Sequence, residues 1–378
     1  MEHPNLLLGK HIRTARERLG LTLEELAKKA SLPALQTVSE IELGKREVKA
    51  WELVNIARAL RISISCLLDV EELSTPPIVL WRKEPKKDRA SLEAAFLQRC
   101  NQYHLLEKLS GAKQSRKLPT TDINPETIDY RDAVRLSNQI CNQLNLGARP
   151  AKVLAKVLED EYSVKIWYMD LGEQGSAATV VGDFGEAILI NLREAPWRRN
   201  FSLAHEVFHL ITWNSLPLQR LQHDSKLREK VEKIAEMFAS NVLLPYEPVS
   251  EAIQSGLERN KITYLDIVSI ARELDVSTEA LIYRLCSLRL IDPAKGKKVL
   301  SDSHFRATDR GSMSKYWTSP PPIPERFVRL AFAAYKLGRL SRSRLAEFLD
   351  TSLIDLPDIL LVYGFNEQED YEVEISTT

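Results

Sequence analysis

His205, Glu206 and His209 lie in FSLAHEVFHLITW, residues 201–213, and spell H-E-x-x-H. Four-residue spacing on a helix puts both imidazoles on one face, one turn apart, where they can reach a single metal ion. Glu206, one step round, can address the water such an ion binds. The residue types suit the chemistry. Neutral imidazoles hold zinc while leaving it Lewis acidic, and a nearby carboxylate takes the proton of a water acidified by the ion. Leu203, Ala204, Val207, Phe208 and Leu210 make the rest of the helix apolar. A carboxylate set there without a partner would be costly. The bland alternative is a surface helix, or a pair of core histidines bonded to backbone.

A zinc site of this kind needs a third protein ligand. LREKVEKIAEMFASNVLLP, 227–245, offers Glu232 and Glu236 four apart on one helix face, beside a packing stripe of Ala235, Phe238, Ala239 and Val242. The small residue at 235 lets this helix approach the first closely. That aims Glu232 at the metal and leaves Glu236 as a hydrogen-bond partner for a ligand histidine. Glu236 itself, and His223 and Asp224 on the intervening loop, are rival third ligands. Zinc is the expected ion for two imidazoles and one carboxylate, with Mn2+ and Fe2+ compatible with the same donors.

The elements that must position these residues occupy 128–247. YSVKIWYMDL and EAILINL read as strands, with GDFG as the turn before the second. EAILINL is the candidate sheet edge, on which a peptide substrate could add as a strand, the alternative being a core strand. Arg198 and Arg199, just before the metal helix, read as solvated. Around this segment lie a head at 6–72, a linker with one amphipathic helix at 73–127, a helix-turn-helix-like unit at 248–292 with Thr278 as a cap, and a C-terminal helical module at 323–366. The tail NEQEDYEVEISTT is acidic and is expected to fray.

In the head, GKHIRTARERLG makes a helix ending at Gly20, and Thr22 with Glu25 forms a capping box for the next. A third helix, ALQTVSEIELGKR, stops at Gly44, and WELVNIARALRI follows. RTARERLGLTLEELA, TVSEIELGK and LVNIARALRIS resemble the XRE/Cro-type DNA-binding domains over about 60 residues. The resemblance implies that the third helix enters the major groove. Gln36, Thr37 and Ser39 would then face bases, and Arg13, Arg16, Lys28, Lys45 and Arg46 phosphates. Residues 1–70 hold 11 Lys+Arg against 9 Asp+Glu, a balance of only +2, so phosphate attraction is weak unless the domain dimerises. Dimerisation or partner binding is the competing use of the same fold.

The strand EAILIN, then RRNFSLAHEVFHLI, then E-x-x-A-x-x-F-A-x-x-x-L-L-P together resemble the ImmA/IrrE family of zinc metallopeptidases over about 128–292. The resemblance makes His205, His209 and Glu232 the zinc ligands, a gluzincin-like set, and Glu206 the general base. Where the family commonly carries Asn, this chain has Glu236. The fold expected is multidomain and mainly α: an all-α helix-turn-helix head, an α+β zincin-like domain with a small sheet, and C-terminal helical modules. The implied function is zinc-dependent cleavage of a helix-turn-helix repressor or antitoxin-like protein in a stress response. Double-stranded DNA and a homodimer are further expected partners. The alternative is a DNA-binding regulator whose peptidase-like domain is a sensor without turnover.

Composition narrows the classes. At 378 residues and 44% hydrophobic, the chain can fill several cores and is not of disordered composition. Lys+Arg and Asp+Glu both total 52, so no overall charge draws it to nucleic acid or membrane. The four cysteines form no C-x-x-C pair, which predicts buried free thiols in a reducing compartment. With no leader-like or membrane-length apolar run, a cytoplasmic location is expected and no membrane partner.

Overall fold

Thr22 accepts from the Glu25 amide while the Glu25 carboxylate takes the Thr22 amide, closing the predicted box at the start of α2 (Leu23–Lys29). The computed structural model describes residues 4–62, 64–68, 77–112, 115–259 and 261–367. Residues 69–72 of the expected head, 73–76 and 113–114 of the expected linker, the acidic tail beyond 367 and the Cys66 side chain lie outside the described residues. The chain divides into two units, 1–79 with 84–101, and 80–83 with 102–378.

The first unit holds α1 (Pro4–Arg18), α2, α3 (Leu35–Glu42), α4 (Ala50–Leu60) and α5 (Ile64–Leu68) around Ile12, Leu26, Val38, Ile41, Ile56 and Leu60. Gly9 lets α1 and α3 meet: a Cβ there would fall 2.4 Å from the Ile41 carbonyl oxygen. Gly44, at φ +65°, takes the left-handed turn that stops α3, its amide donating to Ile41 O. His11 shows what a core histidine looks like in this chain, with its Nδ1 3.0 Å from the backbone carbonyl of Leu67.

In the second unit β1 (Leu80–Trp81), β2 (Lys165–Met169), β3 (Ala177–Gly182) and β4 (Gly185–Asn191) form a sheet in the order β1-β3-β4-β2. Two sequence expectations change here. EAILINL is β4, an interior strand, because it pairs antiparallel with β3 on one side and parallel with β2 on the other. The stretch expected as linker supplies β1, with Leu80 opposite Thr179 and Trp81 opposite Ala178. β3 itself is absent from the sequence reading, although Thr179, Val180 and Val181 are β-branched. The Gly182–Gly185 turn joins it to β4 as a hairpin.

Period-two alternation gives the sheet two apolar faces. Ile188 and Ile190 belong to the core that contains α9 (Pro196–Ile211), while on β2 and β4 the register pairs Trp167 with Leu189. The Trp167 ring meets Tyr103, on α6 (Arg89–Ser110), and Phe327, on α18 (Glu325–Lys336), edge-on at centroid distances of 6.2 and 5.1 Å. The C-terminal helices α18, α19 (Arg342–Phe348) and α20 (Leu356–Val362) therefore bring Phe327 against a strand of this sheet. Arg326 reinforces this join, donating to Glu107 and to Ser163 at 2.7 Å each.

α8 (Pro150–Tyr162) and α11 (Ser225–Leu243) pack on α9, and α7 (Tyr130–Gln143) and α10 (Leu218–His223) pack on α11. Beyond them come α12 (Tyr246–Ala252), α13 (Gln254–Glu258), α14 (Tyr264–Glu273) and α15 (Thr278–Ser287). The cap of α15 is Ser277 rather than Thr278: its hydroxyl accepts from the Ala280 amide, and Thr278 is the first helical residue. Residues 293–316, which carry no clear periodicity, form α16 (Pro293–Ser301) and α17 (Ser303–Tyr316). Arg272 of α14 ties α17 down through Asp309 at 2.5 Å. Among the described residues no helix is long and apolar enough to cross a membrane. Cys100 is buried, and Cys141 and Cys286 half-buried, and none of these three is in a disulfide.

A pH dependence follows from Glu159 on α8. Burial pushes its carboxyl up to about 8, against a lowering by the Tyr103 hydroxyl 3.3 Å away. The folded chain thus keeps a proton that the unfolded chain gives up near 4.5, so this stability is present at low pH and lost as pH rises through about 8. Partial exposure of the side chain trims the effect to on the order of 1 kcal/mol. Glu159→Gln is expected to flatten the decline between pH 6 and 8 in urea midpoints of the second unit's transition.

Candidate metal centre

α9 begins with Pro196 in its first turn, and every residue from Ser202 to Ile211 is buried. Its environment is apolar on all sides: β3 and β4 on one, α11 on another. The Phe208 and Phe238 rings meet at 5.6 Å, and Ala235 is fully buried between the helices. That close approach brings three donors together. His205 Nε2 lies 3.0 Å from a Glu232 carboxylate oxygen and 3.2 Å from His209 Nε2, which is 3.6 Å from the other Glu232 oxygen.

These side chains fit a metal ion on their own geometry. Donors held about 2.0–2.1 Å from a tetrahedral ion stand roughly 3.3 Å from one another, and the three observed separations bracket that value. Neither imidazole bonds to backbone as His11 does, since both Nδ1 atoms are buried without a partner. Burial drives His205 well below its ordinary pKa, with the Arg82 charge adding to it, and takes His209 down to about 4 against the pull of Glu232. Both are therefore neutral near pH 7, the protonation state that ligates.

Glu206 is fully buried one residue along. Its Oε2 accepts from the Thr179 hydroxyl of β3 at 2.5 Å, and its Oε1 has no partner. Burial raises this carboxyl to about 8, the Thr179 bond opposing and Glu232 assisting. One oxygen is thus fixed and the other is left for chemistry.

The remaining predicted residues are placed elsewhere. Glu236 does not partner a histidine: its side chain is 57% exposed, 4.0 Å from the guanidinium of Arg82, because one further turn of α11 carries it outward. His223 turns its Nδ1 to Gln219 O, and Asp224 caps α11 through the Leu227 amide, so neither joins the donor cluster. Arg198 is solvated beside Glu194, but Arg199 is buried and donates to the carbonyls of Leu192, Glu194 and Thr318. In the head, Gln36 and Lys45 are exposed, with Thr37 and Ser39 partly so. Arg16 and Arg46 are drawn inward instead, Arg16 to Glu42 at 2.6 Å and Arg46 to Glu52 at 2.8 Å. These cations are paired with the buried carboxylates of Glu42 and Glu52.

Two neighbours of the site escaped the sequence reading. Thr179 carries a weak signal, a β-branched hydroxyl in a short apolar run. Arg82 carries none, sitting among the basic residues of an apparent linker. It donates to Ser202 Oγ at 2.9 Å, and Ser202 in turn donates to Glu194 at 3.0 Å.

Comparison with known proteins matches two segments of the chain. Residues 159–286 match the family model described as IrrE N-terminal-like domain, and residues 12–65 the Helix-turn-helix model. The Radiation response metalloprotease IrrE of Deinococcus radiodurans is 33% identical over 144 residues, 37% of this chain and 42% of that protein. Its namesake from Deinococcus deserti is 28% identical over 126 residues, 32% of this chain and 42% of that one. The chain thus spans about two fifths of the length of the curated relatives it matches. A solved Mycobacterium tuberculosis transcriptional regulator aligns at a TM-score of 0.31 and 16% identity, over 49% of this chain and 51% of that one, too slight a likeness to support an argument. Residues 159–286 thus form an IrrE N-terminal-like domain, preceded by a helix-turn-helix domain at 12–65.

Proposed function

We propose that this protein is a zinc-dependent endopeptidase that cleaves a regulatory protein, a helix-turn-helix repressor or an antitoxin-like protein, and so controls transcription. The observation that carries the reading is the convergence of His205, His209 and Glu232 beside a buried Glu206 within the family-matched segment. The two Nε2 atoms and the Glu232 carboxylate would hold the ion, which supplies Lewis acidity to the scissile carbonyl. Glu206 accepts a proton from the attacking water as the water oxygen bonds the carbonyl carbon. It returns that proton to the amide nitrogen as the C–N bond breaks. Thr179 holds one Glu206 oxygen so that the other faces the reaction.

The head brings the target near. Leu35, Leu43 and Trp51, 40–50% exposed on and beside α3 and α4, favour a protein contact there. With Arg16 and Arg46 spent on carboxylates, phosphate attraction is weak. Double-stranded DNA and self-association remain within this reading as secondary uses of the head. Incubating the zinc-loaded chain with helix-turn-helix repressors of the same cell should give discrete fragments on a gel. If intact zinc-loaded protein leaves every such repressor whole, the regulator without turnover becomes the better account.

A further inference from the structure

We propose that the β3 edge is the docking strand for an extended substrate, and that the chain's own Leu80–Lys83 occupies it as a pseudosubstrate strap. This rests on the peptidase reading. The segment pairs with β3 and nothing else in the sheet: Leu80 faces Thr179, Trp81 faces Ala178, the Arg82 amide donates to Ala177 O at 3.0 Å, and the Ser176 amide to Lys83 O at 3.2 Å. Leu80's partner, Thr179, is the residue that touches Glu206. The strap also joins the two helices that supply the donors. Arg82 donates to Ser202, one turn before Glu206 on α9, and the Trp81 carbonyl accepts from Arg228, one turn before Glu232 on α11, at 2.9 Å.

With the strap in place His205, Glu206 and His209 are 0–1% exposed. A site that hydrolyses protein must admit main chain, and on the β3 edge the strap stands where that main chain would pair. A strand with two paired residues is a weak element by itself, and a peptide forming the same backbone bonds could replace it. The lining defines the peptide. Its residue at the Leu80 position would be apolar, beside Thr179. Its residue at the Arg82 position would be basic, facing Ser202 with Glu194 behind and Glu236 alongside. The strap is continuous in the chain with residues 79 and 84, both of the N-terminal unit, so a partner held by that unit can act on it through the chain.

The test compares the zinc-loaded full chain with Arg82→Pro, which deletes both the guanidinium and the amide donor. Arg228→Ala, which leaves the backbone pairing intact, serves if the first does not fold. Two rates are read: cleavage of fluorescein-labelled casein and extraction of zinc by a chromophoric chelator. Both are expected to rise about tenfold, the scale of one or two lost ties. A peptide of sequence IVLWRKE should slow both again. Zinc extraction that accelerates while no form cleaves casein would keep the strap and remove the peptidase reading. Rates equal to the parent's would overturn the proposal. So would a fall in cleavage, which would make Leu80–Lys83 part of the docking platform instead.

Discussion

Glu206→Gln is expected to leave zinc bound at about one ion per chain and to lower the rate of cleavage by about 10²–10⁴-fold, the usual worth of a positioned general base. That corresponds to roughly 3–5 kcal/mol of activation free energy. The amide keeps the shape and can still accept from Thr179, so the helix packing around it is unchanged. Because the side chain is buried and the wild-type carboxyl is raised to about 8 by that burial, the neutral amide is also the less costly group in the metal-free chain. The variant should therefore fold at least as well as its parent. Metal content by mass spectrometry and fragment yield on one preparation decide the matter. An undiminished cleavage rate would remove Glu206 from the role of base. Loss of zinc together with activity would make the carboxylate a ligand or a structural support.

Glu232→Ala has the larger effect on metal itself. Removing a partner that merely orients a ligand costs about 10–100-fold in affinity, and removing a ligand should cost more. The remaining pair, His205 and His209, would face each other at 3.2 Å with no anion between them. Zinc is expected to fall from about one per chain to near none after dialysis against a weak chelator. Helicity should be retained, because Glu232 is partly exposed and makes its contacts to the histidines rather than to the core. Stoichiometric zinc in the variant would show that another group completes the site. Glu236, His223 and Asp224 are poor candidates, being exposed or bonded elsewhere.

Local rules written along the chain fixed much of this protein. The H-E-x-x-H spacing aligned two imidazoles because helical periodicity is 3.6 residues, and the small Ala235 permitted a close second helix. The capping box at Thr22 and the stop at Gly44 are likewise properties of a few adjacent residues. What the tertiary structure decided was pairing across long sequence gaps. β4 became an interior strand because β3 took one side of it and β2 the other, and the distant Leu80–Trp81 took the far edge of β3. Arg16, Arg46 and Arg199 read as surface cations until buried carboxylates and carbonyls claimed them. Thr179 and Arg82 entered the site for the same reason: sequence periodicity gives the face of an element, but which distant element covers that face is settled by packing.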